Sequence, residues 1–133
     1  MKSRSELRDI IVKVLYQTYI YETTNTEVKT KDIIKEFINY DEEYISSAID
    51  YITKNQKSIN EIANKYLDNW TIDRLSKVDK AILSLAIYEM TNTDTPKIVC
   101  INEAIELSKK YSDENVTKMI NACLDKYYHD IEE

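Results

Sequence analysis

Apolar residues recur at helical spacing along almost the whole chain, and no run alternates long enough to demand a strand. Leu7, Ile11, Val14, Leu15 and Thr18 set the first stripe, and Ser3 and Glu6 stand in capping-box register at its start. This helix is expected to fade near Glu22, where Thr23-Thr24-Asn25-Thr26 reads as a loop. Thr30 is expected to cap a short helix with Ile33, Ile34, Phe37 and Ile38 inward. Asp41 caps the next in this reading, with Tyr44, Ile45, Ala48, Ile49 and Ile52 on one side, and Ser58 opens a fourth through Leu67. Trp70, Ile72 and Leu75 form an irregular apolar link.

The fifth helix, capped by Ser76, carries Val78, Ala81, Ile82, Leu83, Leu85, Ala86, Ile87 and Tyr88 around most of its circumference. A helix apolar on all sides is expected at the centre of a fold. Glu89 shares the arc of Val78, Ile82 and Leu85, so its carboxylate needs a partner. Thr95-Pro96 breaks the chain, and a sixth helix follows from about Lys97 to Tyr111. Ser112 is expected to cap the last helix, whose stripe is Val116, Met119, Ile120, Cys123, Leu124 and Tyr127. The pattern therefore predicts an all-α fold of about seven helices.

Composition narrows the chemistry. At 133 residues, one domain (1–133) with its own core is expected. Glycine is absent, which removes every Gly-rich phosphate or dinucleotide loop. It also leaves asparagine (Asn39, Asn55, Asn69, Asn92) as the best-tolerated residue at helix ends. Cys100 and Cys123 are too few for a disulfide framework or a zinc site and read as reduced core cysteines of a cytoplasmic protein. The single histidine, His129, lies beside an acidic tail with no catalytic partner in the pattern. No enzyme activity, cofactor, metal site, signal peptide or membrane span is expected.

Net charge is −6, which disfavours nonspecific nucleic-acid binding. The distribution is uneven: residues 1–21 hold Lys2, Arg4, Arg8 and Lys13 against Glu6 and Asp9, a net of +2, and the remainder is −8. Any RNA contact should therefore begin locally at the first helix.

One block carries a resemblance. Arg74-Leu75-Ser76-Lys77-Val78-Asp79-Lys80-Ala81-Ile82-Leu83 runs on to Tyr88-Glu89-Met90, Pro96 and Ile101-Asn102-Glu103-Ala104-Ile105-Glu106-Leu107. Met119-Ile120-Asn121-Ala122-Cys123-Leu124-Asp125 follows, and Arg8-Asp9-Ile10-Ile11 through Leu15-Tyr16-Gln17 matches at the start. This resembles the NusB family of bacterial transcription antitermination factors at both ends, with little support between residues 22 and 65. The resemblance implies two small helical subdomains sharing an interface, with Tyr66 to Leu75 at their junction. It implies a partner, NusE, a ribosomal protein, and joint binding of boxA single-stranded RNA in ribosomal RNA leaders. The pair would join the RNA polymerase antitermination complex.

Under that resemblance Arg4, Arg8, Tyr16, Lys118 and Met119 are the RNA-binding candidates and Asp79 the partner-binding one. Each has a plainer reading. Arg8 could pair with Glu89, Tyr16 could be core, Lys118 a solvated lysine, and Asp79 a first-turn carboxylate favoured by the helix dipole. Met119 replaces the family's Phe, so base stacking there is in doubt. Asn102, Glu103 and Asn121 read as structural, through side-chain hydrogen bonds. Two other functions compete: a helical protein-interaction domain without an RNA role, and the NusB-like module of ribosomal RNA methyltransferases. The latter would need a long catalytic domain with a Gly-rich loop, which these 133 residues lack.

Overall fold

Ser3 opens the longest helix in the capping box that its spacing predicts. In the computed structural model, which describes residues 2–132, its hydroxyl accepts the Glu6 N–H while Glu6 accepts the Ser3 N–H. Seven α-helices follow one another: α1 Arg4–Thr23, α2 Thr30–Ile34, α3 Glu43–Lys54, α4 Gln56–Tyr66, α5 Lys77–Asn92, α6 Lys97–Tyr111 and α7 Glu114–Glu132. A single 3-10 turn, Ile72–Arg74, precedes α5, and there is no strand among the described residues.

Several helix starts differ from the sequence expectation. Thr30 lies inside α2, and Glu42 rather than Asp41 caps α3 by accepting the Tyr44 N–H. α4 begins two residues before Ser58, because Asn55 ends α3 and precedes α4 without an intervening loop. At α7 the Asp113 carboxylate takes the Val116 N–H, and the Ser112 hydroxyl turns to Asp79 instead. Of the four asparagines expected at helix ends, Asn69 adopts the left-handed conformation (φ 63°). Asn25, in the loop after α1, does so too (φ 53°). Without glycine, asparagine supplies the turns that need positive φ.

The central position expected for α5 is observed: every residue from Asp79 to Met90 is buried. α1 packs along α5 and also against α2 and α3, while α4 and α6 pack on α5 and α7 closes over α6 and α4. The N-terminal helices α1–α3 and the C-terminal helices α4–α7 therefore meet chiefly where α1 packs on α5. Tyr66 to Leu75 does not form that junction. It links α4 to α5, held by the Ile72 N–H donating to Asn64 Oδ1 at 2.7 Å. A polar pin crosses the junction instead: Tyr19 Oη donates to Gln56 Oε1 at 2.7 Å, and Gln56 Nε2 donates to Ser84 Oγ at 3.0 Å.

The apolar stripes converge on one core that includes Ile11, Leu15, Ile45, Ile52, Ile72, Ile82, Leu83 and Ile120, all fully buried. Each such side chain contributes about 1.5–3 kcal/mol by leaving water. Ile105 of α6 is only partly buried, at the edge of this core. No helix among the described residues is long and apolar enough to cross a membrane.

Candidate nucleic-acid interface

The first turn of α1 sorts its two arginines. Arg4 is exposed, and its guanidinium lies 3.8 Å above the Tyr44 ring of α3. Arg8, one turn on, faces inward and is 4% exposed. Its Nε donates to both Glu89 oxygens (2.9 and 3.0 Å) and its Nη1 to Glu103 Oε1 at 2.7 Å. Arg8, an RNA-binding candidate, is thus held below the surface by both carboxylates, the plainer of its two readings. The partner demanded by Glu89 is this arginine, supplemented by the Tyr44 hydroxyl. Burial still lifts the Glu89 carboxyl above its ordinary range, opposed in part by the Arg8 charge. Glu103 is structural as expected, bridging Arg8 and the Ser5 hydroxyl.

Between α1 and α6 runs a concave surface of about 430 Å³, bordered by Lys2, Lys13 and Lys110 and by Glu6, Asp9, Glu103 and Glu106. Asp9 is its hub. Lys13 Nζ reaches one carboxylate oxygen at 3.0 Å, and Lys110 Nζ reaches the other at 3.1 Å. The Tyr111 hydroxyl donates there as well. Partial burial pushes the Asp9 carboxyl up, but the hydrogen bonds from Tyr111, Lys13 and Lys110 outweigh it and leave it below the usual range.

Lys13 also borders a second groove of about 350 Å³, lined by Val12, Tyr16, Gln17, Phe37, Val78 and Tyr111. Tyr16 is an exposed wall of this groove, not a core residue. The sequence pattern does not point to Lys110 or Tyr111. Asp9 and Lys13, an i,i+4 pair, are visible in it, but nothing local announces a partner about a hundred residues away.

The remaining candidates lie elsewhere. Lys118 is exposed on α7 and pairs with Glu114 at 3.5 Å. Met119 is partly buried against the core, so its side chain does not stand free for stacking. Asp79, expected on the partner-facing surface, is buried. Its carboxylate accepts from Ser76 Oγ at 2.7 Å and from the Ser112 hydroxyl, so it fastens the α6–α7 turn to the start of α5. Asn102 and Asn121, expected to make structural hydrogen bonds, are both exposed.

The NusB family model matches residues 5–129 of the chain. The protein belongs to the NusB family. The transcription antitermination protein NusB of Methylacidiphilum infernorum is 36% identical, with 98% of this chain and 93% of that protein covered. The solved NusB of T. maritima is 34% identical with a TM-score of 0.77, covering 94% of this chain and 89% of that one. A structure of antitermination factors NusB and NusE with double-stranded RNA is 25% identical with a TM-score of 0.78, covering 95% and 96%. The family match and the NusB fold thus extend over the segment between residues 22 and 65, where the sequence motifs alone give little support.

Proposed function

We propose that this protein is a cytoplasmic transcription antitermination factor without catalytic activity of its own. The whole chain acts as a single RNA-binding unit that works with NusE on boxA-like RNA within the RNA polymerase antitermination complex. The observation that carries this reading is the likeness, over 95% of the chain, to a NusB held with NusE and RNA. The arrangement of charge supports it. In a chain of net charge −6, Lys2, Lys13 and Lys110 gather along the α1–α6 side, and Arg4 stands on the α3 side of the same helix start. Arg4 presents a guanidinium plane already backed by Tyr44, a surface on which an unstacked base can lie. Lys118 adds a contact from α7. The apolar groove that Tyr16, Val78 and Tyr111 wall suits apolar side chains of the protein partner, with Lys13 at its border with the α1–α6 surface.

Fluorescence anisotropy with boxA-like and scrambled RNA, with and without NusE, tests the reading. Binding should be weak for the protein alone and tighter and sequence-selective with NusE. Arg4→Ala combined with Lys118→Ala should weaken RNA binding and lower the log–log salt slope by about 0.7 for each phosphate that is no longer neutralised. Equal affinity for both RNAs with NusE present overturns the boxA assignment.

A further inference from the structure

We propose that Asp9 is a negative determinant of RNA affinity, a carboxylate that holds Lys13 and Lys110 in check on the mixed-charge surface between α1 and α6. The proposal rests on the RNA-binding function above and adds how strongly that surface is allowed to bind.

Three observations lead to it. First, Asp9 binds two cations at once, Lys13 at 3.0 Å along α1 and Lys110 at 3.1 Å across from α6. Second, the carboxylate is only 17% exposed, whereas the lysines are 44% and 58% exposed. The acid is fixed in place and the cations remain within reach of a ligand. Third, the Tyr111 hydroxyl donates to the same carboxylate, so three donors fix Asp9 in place.

The consequence is electrostatic. A phosphate gains affinity by releasing the counterions it carries, and it does so by meeting uncompensated positive charge. The Asp9–Lys13–Lys110 cluster carries +1 rather than +2. Its one negative charge sits between the two cations, where it repels an approaching phosphate. Asp9 therefore lowers the RNA affinity of the isolated protein and makes tight binding depend on what the partner contributes.

Asp9→Asn is the direct test, because it keeps the shape and an oxygen to accept from Tyr111 while removing the charge. RNA affinity is read by anisotropy with boxA-like RNA over a salt series, with thermal unfolding in parallel. The expected result is roughly threefold to tenfold tighter binding at low salt, with a slope steeper by about 0.7 for each newly neutralised phosphate. That gain should vanish in Asp9→Asn combined with Lys13→Gln and Lys110→Gln.

If Asp9 were only a fastening between α1 and α6, Asp9→Asn would bind RNA equally well or more weakly, and that overturns the proposal. Asp9→Ser, which also removes the charge and keeps a hydroxyl oxygen to accept from Tyr111, gives a second reading if Asp9→Asn folds poorly. It should tighten RNA binding in the same direction and steepen the salt slope, and unchanged or weaker binding in a folded Asp9→Ser protein overturns the proposal. If neither the natural protein nor Asp9→Asn binds RNA with NusE present, the RNA-binding function itself falls and the proposal with it.

Discussion

Replacing Arg8 by alanine should unfold the protein far more readily at neutral than at acid pH. Glu89 is 1% exposed, and without Arg8 it keeps only the Tyr44 hydroxyl as a donor. Breaking a buried ion pair from one side costs about 3–5 kcal/mol, because the surviving charge is left uncompensated. That is a large share of a typical stability of about 5–15 kcal/mol. For a chain of this length it corresponds to a fall in Tm of about 10–20 °C.

The pH dependence follows from the direction of the Glu89 shift. Its carboxyl is lifted above the ordinary range in the folded state, chiefly by burial. The folded protein therefore holds that proton more tightly than the unfolded chain. This contribution to stability is fully present below the ordinary carboxyl range and is lost as pH rises through the folded value. Removing Arg8 raises that value further, so the penalty should be largest near pH 7 and shrink near pH 4. Urea unfolding followed by circular dichroism at both pH values measures it. Arg8→Met with Glu89→Leu should recover most of the loss, since no charge is then stranded. A penalty below about 1 kcal/mol at neutral pH, or one that does not change with pH, refutes the reasoning.

Asp79→Ala should cost about 1.5–3 kcal/mol, the usual value of hydrogen bonds to a charged group, here those from Ser76 and Ser112. Chemical denaturation checks this, and an unchanged midpoint would put Asp79 outside the structural framework. Ile120→Ala should cost about 2–5 kcal/mol as a cavity at a fully buried site, and the half-buried Ile105→Ala clearly less, by the same measurement. Burial pushes the Cys100 and Cys123 thiols up to about 12, so neither should react with a thiol reagent until the protein unfolds. Rapid labelling of the native protein at neutral pH would contradict that.

The helices are legible in the sequence because their stripes are long and periodic, and α5 declares its central place by being apolar on every side. The starts of α2, α3, α4 and α7 are less so. Polar residues suited to capping stand side by side there, and the chain uses one neighbour or none: Glu42 over Asp41, Asp113 over Ser112. Arg8 is readable in part, since an acid at Glu89 on an apolar arc demands a cation. Its second carboxylate, Glu103, is not, because α6 brings it in from 95 positions away. The angle of Asp79 on α5 alone points it to the surface. The turn between α6 and α7 covers that angle, which no property of α5 announces. The Asp9 cluster is hidden for the same reason, since two of its donors lie on α6.

The burial of α5 on every side has a consequence for how the molecule comes apart. α1 leans on it from one group of helices, and α4 and α6 from the other. Detaching either set of helices therefore exposes the same helix. Local openings can loosen α2 or the ends of α7, but the amides of α5 reach solvent only when the whole structure opens. Amide exchange should therefore be slowest along Ala81–Met90 and should report global stability there. A peptide supplying α5 in trans would have to be threaded into the interior, not added at an edge.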